Sequence, residues 1–219
     1  MQIYHFPSRS TYLERAQDVK SYFDSYVTGY FTSIEVNQGS NYADVDFFVA
    51  GRDTKAMTIR MNSSDYPQLI CGGHTIYIGK RGYTLSSLIV TDSAVFVVGY
   101  VASGEYPVFM IHKSVSGHVL VSYFISSGSV AKIALGAENG FRTYSLDNNG
   151  YTYVHTYPVT DTPGRTVGTS IISELGGASK DTYIPYIAPF TTIIDPLKYQ
   201  IGGVNYVAIG GGTFIVRSE

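Results

Sequence analysis

The sequence has no tryptophan and a single cysteine, Cys71. One thiol excludes an intramolecular disulfide framework, so packing and hydrogen bonds must hold the fold. Charge is also scarce: Asp, Glu, Lys and Arg make up 15% of the chain, against about 25% in an ordinary soluble domain. The 15 basic and 17 acidic residues nearly cancel, leaving a formal net charge of −2. That balance gives no global pull toward nucleic acid or an anionic membrane. Lys80 and Arg81 form the one adjacent basic pair, too little for an electrostatic track along a nucleic acid. No apolar run approaches the roughly 18 residues that span a bilayer. The opening "MQIYHFPSRS" lacks a basic stretch followed by an apolar one, so no signal peptide is expected, and the chain is expected to be made in a cytoplasm.

What the sequence has is tyrosine, 20 residues, and glycine, 23 residues, among many Ser and Thr. This composition suits strands and turns, and equally surfaces covered by neighbouring molecules. At 219 residues the chain can bury roughly 70% of its unfolded surface without a metal or disulfide. It is long enough for one large all-β domain or two small ones.

The clearest helix signal is "STYLERAQDVKSYFDSYV". Thr11 and Glu14 have capping-box spacing. Tyr12, Ala16, Val19, Phe23 and Tyr26 follow at steps of 4, 3, 4 and 3, one helical face. Arg15, Asp18, Lys20 and Asp24 fall on the other sides, and Gly29 supplies a stop. The apolar face can pack on a sheet of the same chain or dock a partner, with Tyr12 and Phe23 as contact residues in the second case.

Beyond Gly29 the period changes to that of strands. "YFTSIEVN" and "YADVDFFVA" are joined across "QGS", and "KAMTIRMN" alternates Met57, Ile59 and Met61 with Thr58, Arg60 and Asn62. "HTIYIGKRGYTL" reads as a hairpin about residues 79–82, and "SLIVTDSAVFVVGYV" as two apolar strands. "YPVFMIHK", "HVLVSYFI", "AKIAL", "FRTYSL" and "YTYVHTY" continue the series, with Asp147-Asn148-Asn149-Gly150 as a strong hairpin turn. Residues 158–182 read as a long exposed loop with a short helix at 170–175, and residues 183–217 return to strands. The expected fold is therefore mainly β: an N-terminal helix, then an antiparallel β-sandwich or barrel, or two packed β-modules. The segments are 1–28 with the helix, 29–125 as a β-module, and 126–219 as a second module or a continuation of the first, with the seam near 126–130.

Catalytic and ligand motifs are few. The glycines of "IGGVNYVAIGGG" are followed by β-type runs, whereas a phosphate loop needs a helix N-terminus after its glycines. His5, His74, His112, His118 and His155 have no metal-ligand spacing. "CGGH" sets Cys71 near His74, but a thiol nucleophile also needs an orienting third group. "SLDNNGYT" approximates a calcium loop, yet the position that should be acidic is Thr156. Asp44 and Asp46 share a strand face that a cation or sugar could use, or that solvent could simply cover. No catalytic residue, cofactor site or metal site is assigned.

The segment "YIPYIAPF…LKYQIGGVNYVAIGGGTFIVR" resembles the C-terminal part of tailed-bacteriophage virion proteins of the tail, baseplate or neck type. The resemblance rests on Ile187-Ala188-Pro189-Phe190, on Ile201-Gly202-Gly203 leading to Tyr206-Val207-Ala208-Ile209, and on the last strand, about a sixth of the chain. It implies a non-enzymatic subunit located in the virion, with copies of itself and other virion proteins as partners, joined by strand edges and terminal segments. Tyr199, Tyr206, Phe214 and Val216 are then the expected contact residues beside Tyr12 and Phe23. An alternating terminal strand can complete a neighbour's sheet or its own. The alternative reading is a β-module that binds carbohydrate on a host surface, and a hydrolase built on Cys71 or Asp44 is the third.

Overall fold

The computed structural model describes residues 2–63, 66–78, 85–90, 94–99, 108–113, 117 and 119–124, and eight short segments from residue 142 to 217, with the backbone alone described beyond residue 121. The first element is a strand, β1 (Gln2–His5), followed by the helix α1 (Tyr12–Tyr26). Strands β2 (Ser33–Gln38), β3 (Tyr42–Phe48), β4 (Met57–Asn62), β5 (Gln68–Cys71) and β6 (His74–Tyr77) form an antiparallel sheet in sequence order. Strands β7 (Ser87–Val90), β8 (Ala94–Val98), β9 (Val108–Lys113) and β10 (Val119–Phe124) follow, then β11 (Arg142–Ser145) and β12 (Tyr151–Tyr153). They form a seven-stranded antiparallel sheet whose first edge is β1. Strands β13 (His155–Thr160), β14 (Thr166–Ile172) and β15 (Ile184–Ile187) make a three-stranded sheet. Strands β16 (Lys198–Ile201), β17 (Val204–Ile209) and β18 (Phe214–Arg217) make another, with β18 lying alongside β15.

The helix forms where its cap requires. The Thr11 side chain accepts from the Glu14 amide, and the Glu14 carboxylate accepts from the Thr11 amide, closing the capping box. Ala16, Val19 and Phe23 are fully buried against β2, β3 and β4. Arg15, expected on the solvent side, is buried as well. Its guanidinium donates to the carbonyls of Arg9 and Ser10, which satisfies the charge and fixes the chain entering the helix.

Alternation decides the faces of the five-stranded sheet. Ile34, Phe47, Met57 and Cys71 lie in register across β2 to β5, as do Val45, Ile59 and Leu69 across β3 to β5. This apolar face shares one core with α1 and with Leu88, Val95, Val97, Phe109, Ile111, Val119 and Val121 of the seven-stranded sheet, in the manner of a sandwich. The opposite side of the same β7–β10 strands is also buried, through Ile89, Phe96, Val98, Met110, His112 and Leu120. These strands are therefore buried on both sides.

Several elements differ from the sequence expectation. β1 and β5 carry too few residues for a periodic signal and gain their identity from pairing with β7 and β4. The expected loop at 158–182 contains β14 and the end of β13, because Thr166, Val167, Thr169, Ile171 and Ile172 supply β-branched residues that outweigh the turn-forming glycines. The proposed helix at 170–175 begins inside β14. Pro158 is tolerated because β13 is an edge strand. β10 and β11, on either side of the seam at 126–130, pair with each other, so the seven-stranded sheet runs across it. The strand "AKIAL", the turns at 79–82 and 147–150 and the seam itself lie outside the described residues.

Candidate functional site

Asp44 and Asp46 project from the polar face of the five-stranded sheet, yet each is only 5% exposed. Arg60 lies directly across from Asp44 on β4 and donates two hydrogen bonds to it, Nε to Oδ1 at 2.7 Å and the terminal nitrogen to Oδ2 at 2.8 Å. This is the bidentate fork that fits a carboxylate best. The same guanidinium stacks 4.1 Å from the centre of the Tyr42 ring. Hydrogen bonding from Asp44 raises the Arg60 pKa above its already high ordinary value. Asp46 accepts from Thr58 Oγ1 at 2.5 Å and Asn37 Nδ2 at 2.9 Å, and pairs with Lys55 at 3.1 Å. Both carboxylates are thus committed to cross-strand partners, and the pair forms a lattice across β2, β3 and β4. Among the described residues no group of three or more His, Cys, Asp or Glu is placed to hold a metal ion.

"CGGH" is a hairpin turn. Cys71 and His74 are paired across it, and Gly72 and Gly73 have φ of +56° and +78°, the left-handed pair that a two-residue hairpin requires. Cys71 is buried and its thiol accordingly rises to about 12, so at neutral pH it is a protonated core group. His5 Nδ1 lies 2.9 Å from Ser87 Oγ, a contact that ties β1 to β7. His112 is 1% exposed, and burial pulls its pKa down to about 3, so it is a neutral imidazole in the fold.

Aromatic side chains cluster where β1 meets α1, with Tyr26 exposed and Tyr4 and Tyr22 half-buried against the core. Tyr22 and Tyr26 stand one turn apart on α1, on the same helical side. β1 brings Tyr4 against them. Tyr4 and Tyr26 stack with ring centres 3.6 Å apart and planes at 10°. Tyr22 meets Tyr4 and Tyr26 edge-on at 6.4 Å and 5.9 Å, and Phe6 stacks beneath Tyr22 at 4.8 Å. Tyr22 Oη donates to the His5 carbonyl at 3.0 Å, which fixes its ring. Tyr26 keeps 38% of its surface exposed. A second exposed pair, Tyr66 at 38% and Tyr77 at 54%, meets edge-on at 5.7 Å.

The expected contact residues are distributed as follows. Phe23 is fully buried against Phe31 and Phe47 of its own chain, so its ring serves the core. Tyr12 is half-buried and donates to the Ser40 carbonyl at 3.1 Å, tying the helix to the β2–β3 turn. Tyr199 is in register with Tyr206, Val216 with Val207 and Phe214 with Ile209. Phe214–Arg217 therefore pairs with a strand of its own chain. No local pattern marks the tyrosine cluster, because it joins β1 to α1; its one sequence signal is Tyr22 and Tyr26 at i, i+4 with Tyr4 upstream.

Comparison with protein-family models, with curated proteins and with solved structures finds no match.

Proposed function

We propose that this chain is a non-catalytic structural subunit that assembles with copies of itself and with other proteins of a larger particle. The particle implied by the resemblance of residues 183–217 is a tailed-bacteriophage virion. The observation that carries the assembly reading is the surface of Tyr4, Tyr22 and Tyr26. Aromatic residues are enriched at interfaces, where a large ring buries area at little entropic cost. Here the rings hold one another before any partner arrives, so docking loses less side-chain freedom. The low charge of the chain is consistent with surfaces that a neighbour covers. Mass spectrometry of purified particles tests the reading: the chain is expected in a fixed copy number, and its absence from particles overturns the virion assignment.

The exposed rings of Tyr26, Tyr66 and Tyr77 favour a second reading, a module that stacks on sugar rings. It expects glycan-array binding that Tyr77→Ala weakens; no binding across the array removes it.

A further inference from the structure

The edge strand β6 carries an inference that rests on the assembly reading and names a partner for it. The hairpin about Gly72 and Gly73 fixes which backbone groups of β6 point inward. In a two-residue hairpin the residues flanking the turn, Cys71 and His74, exchange hydrogen bonds, and the alternation continues from there. Leu69 and Ile76 are then bonded, whereas Ile70–Thr75 and Gln68–Tyr77 are the unbonded pairs. The Ile78 amide donates to the Pro67 carbonyl at 2.8 Å, which confirms the same phase one step further on. The N–H and C=O groups of Thr75 and Tyr77 consequently point away from β5, toward the outer side of the sheet. Among the described residues no strand pairs with that side.

Monomeric proteins protect such an edge by keeping it very short, or with a charge, a proline or a bulge, and β6 has four residues. β6, "HTIY", has no lysine, acid or proline, its pairing with β5 is regular, and Thr75 and Tyr77 are exposed. The outward groups are also self-complementary. With a two-fold axis at residue 76, Thr75 faces Tyr77 of a second copy and Tyr77 faces Thr75 of that copy. Each pair exchanges two hydrogen bonds, so every outward group on these two residues is used. Centring the axis on Thr75 instead would oppose Tyr77 to Gly73 in the turn. We propose that β6 pairs antiparallel with β6 of a second copy of this chain, joining two five-stranded sheets into one continuous sheet, with Tyr77 at the seam. The contact is isologous, the commonest arrangement in homo-oligomers.

Sedimentation velocity of the full chain over a concentration series tests this, with Thr75→Pro and Tyr77→Lys beside the parent. Proline removes an outward N–H without touching the β5 ladder, as edge strands permit. Lysine at an exposed edge position opposes strand addition by charge. Far-UV circular dichroism and thermal melts establish that both variants fold. The parent is expected to pass from monomer to dimer, and each variant to dimerise at least about tenfold more weakly. A parent that stays monomeric, or a dimer that both folded variants leave unchanged, overturns the β6 pairing. Particle composition decides the assembly reading separately: a chain found in particles whose β6 variants change nothing loses this contact but keeps that reading.

Discussion

Asp44 and Asp46 show how a residue's chemistry is set by its partners across the sheet. In sequence they are two carboxylates on one strand face, available in principle to a cation or a sugar. The register places Arg60 opposite Asp44 and Thr58 opposite Asp46, and the carboxylates become cross-strand braces. Replacing Asp44 by Ala strands Arg60, which is 30% exposed and so partly relieved by water. We expect a loss of about 1–2 kcal/mol in denaturant unfolding, and a smaller loss when Arg60→Met is already present; a change of under about 0.3 kcal/mol would remove the brace. His112 supplies a pH dependence with a definite sign. Its pKa is about 3 in the fold, below the ordinary value of 6.5, so between those values the unfolded chain binds more protons. Its contribution is complete above pH 6.5 and is lost as pH falls toward 3, at a limiting slope of about 1.4 kcal/mol per unit. Unfolding of His112→Gln in parallel should show a flatter acid limb; identical limbs would contradict the assignment.

At the scale of elements, signals within a few neighbouring residues were readable and those needing distant partners were not. The capping box at Thr11 and Glu14, the Ala16, Val19 and Phe23 part of the apolar face of α1 and the alternation of β4 each act over a few residues and appear where their spacing placed them, whereas Tyr26, expected on that face, is exposed. β1 became a strand only by pairing with β7, about 85 residues away. Arg15 lies off the apolar face by spacing, and no local pattern shows that the carbonyls of Arg9 and Ser10 accept from its guanidinium where it is buried. The turn at Gly72 and Gly73 was legible as glycine-rich, but its meaning as a hairpin came from the register of Cys71 with His74. Nothing lies within 4 Å of a Cβ added at Gly73, so Gly73→Ala isolates the backbone cost of its φ of +78°. A destabilisation of about 1 kcal/mol is expected in chemical unfolding, and an unchanged midpoint would mean that the turn does not require the left-handed conformation.

At the scale of the whole molecule, composition pointed to a mainly β fold, and antiparallel sheets around a shared core fulfil it. The candidate site was less legible. Asp44, Asp46, Cys71 and His74 stood out as chemically capable types, whereas the feature that carries the functional reading is a surface assembled from β1 and α1. Proximity of Tyr4 to Tyr26 depends on how those two elements pack, which no local pattern encodes. Phe214–Arg217 pairs on one side with β17 of its own chain, one of the two pairings its sequence allows, and among the described residues β6 is an edge of the five-stranded sheet. The central claim, that the tyrosine surface is a contact in an assembly, is tested most directly by covalent footprinting of tyrosine in the isolated chain and in the particle. Tyr26 should label readily in the isolated chain and be protected in the particle, while the fully buried Phe23 neighbourhood changes little. Equal labelling of Tyr4, Tyr22 and Tyr26 in both states would contradict it.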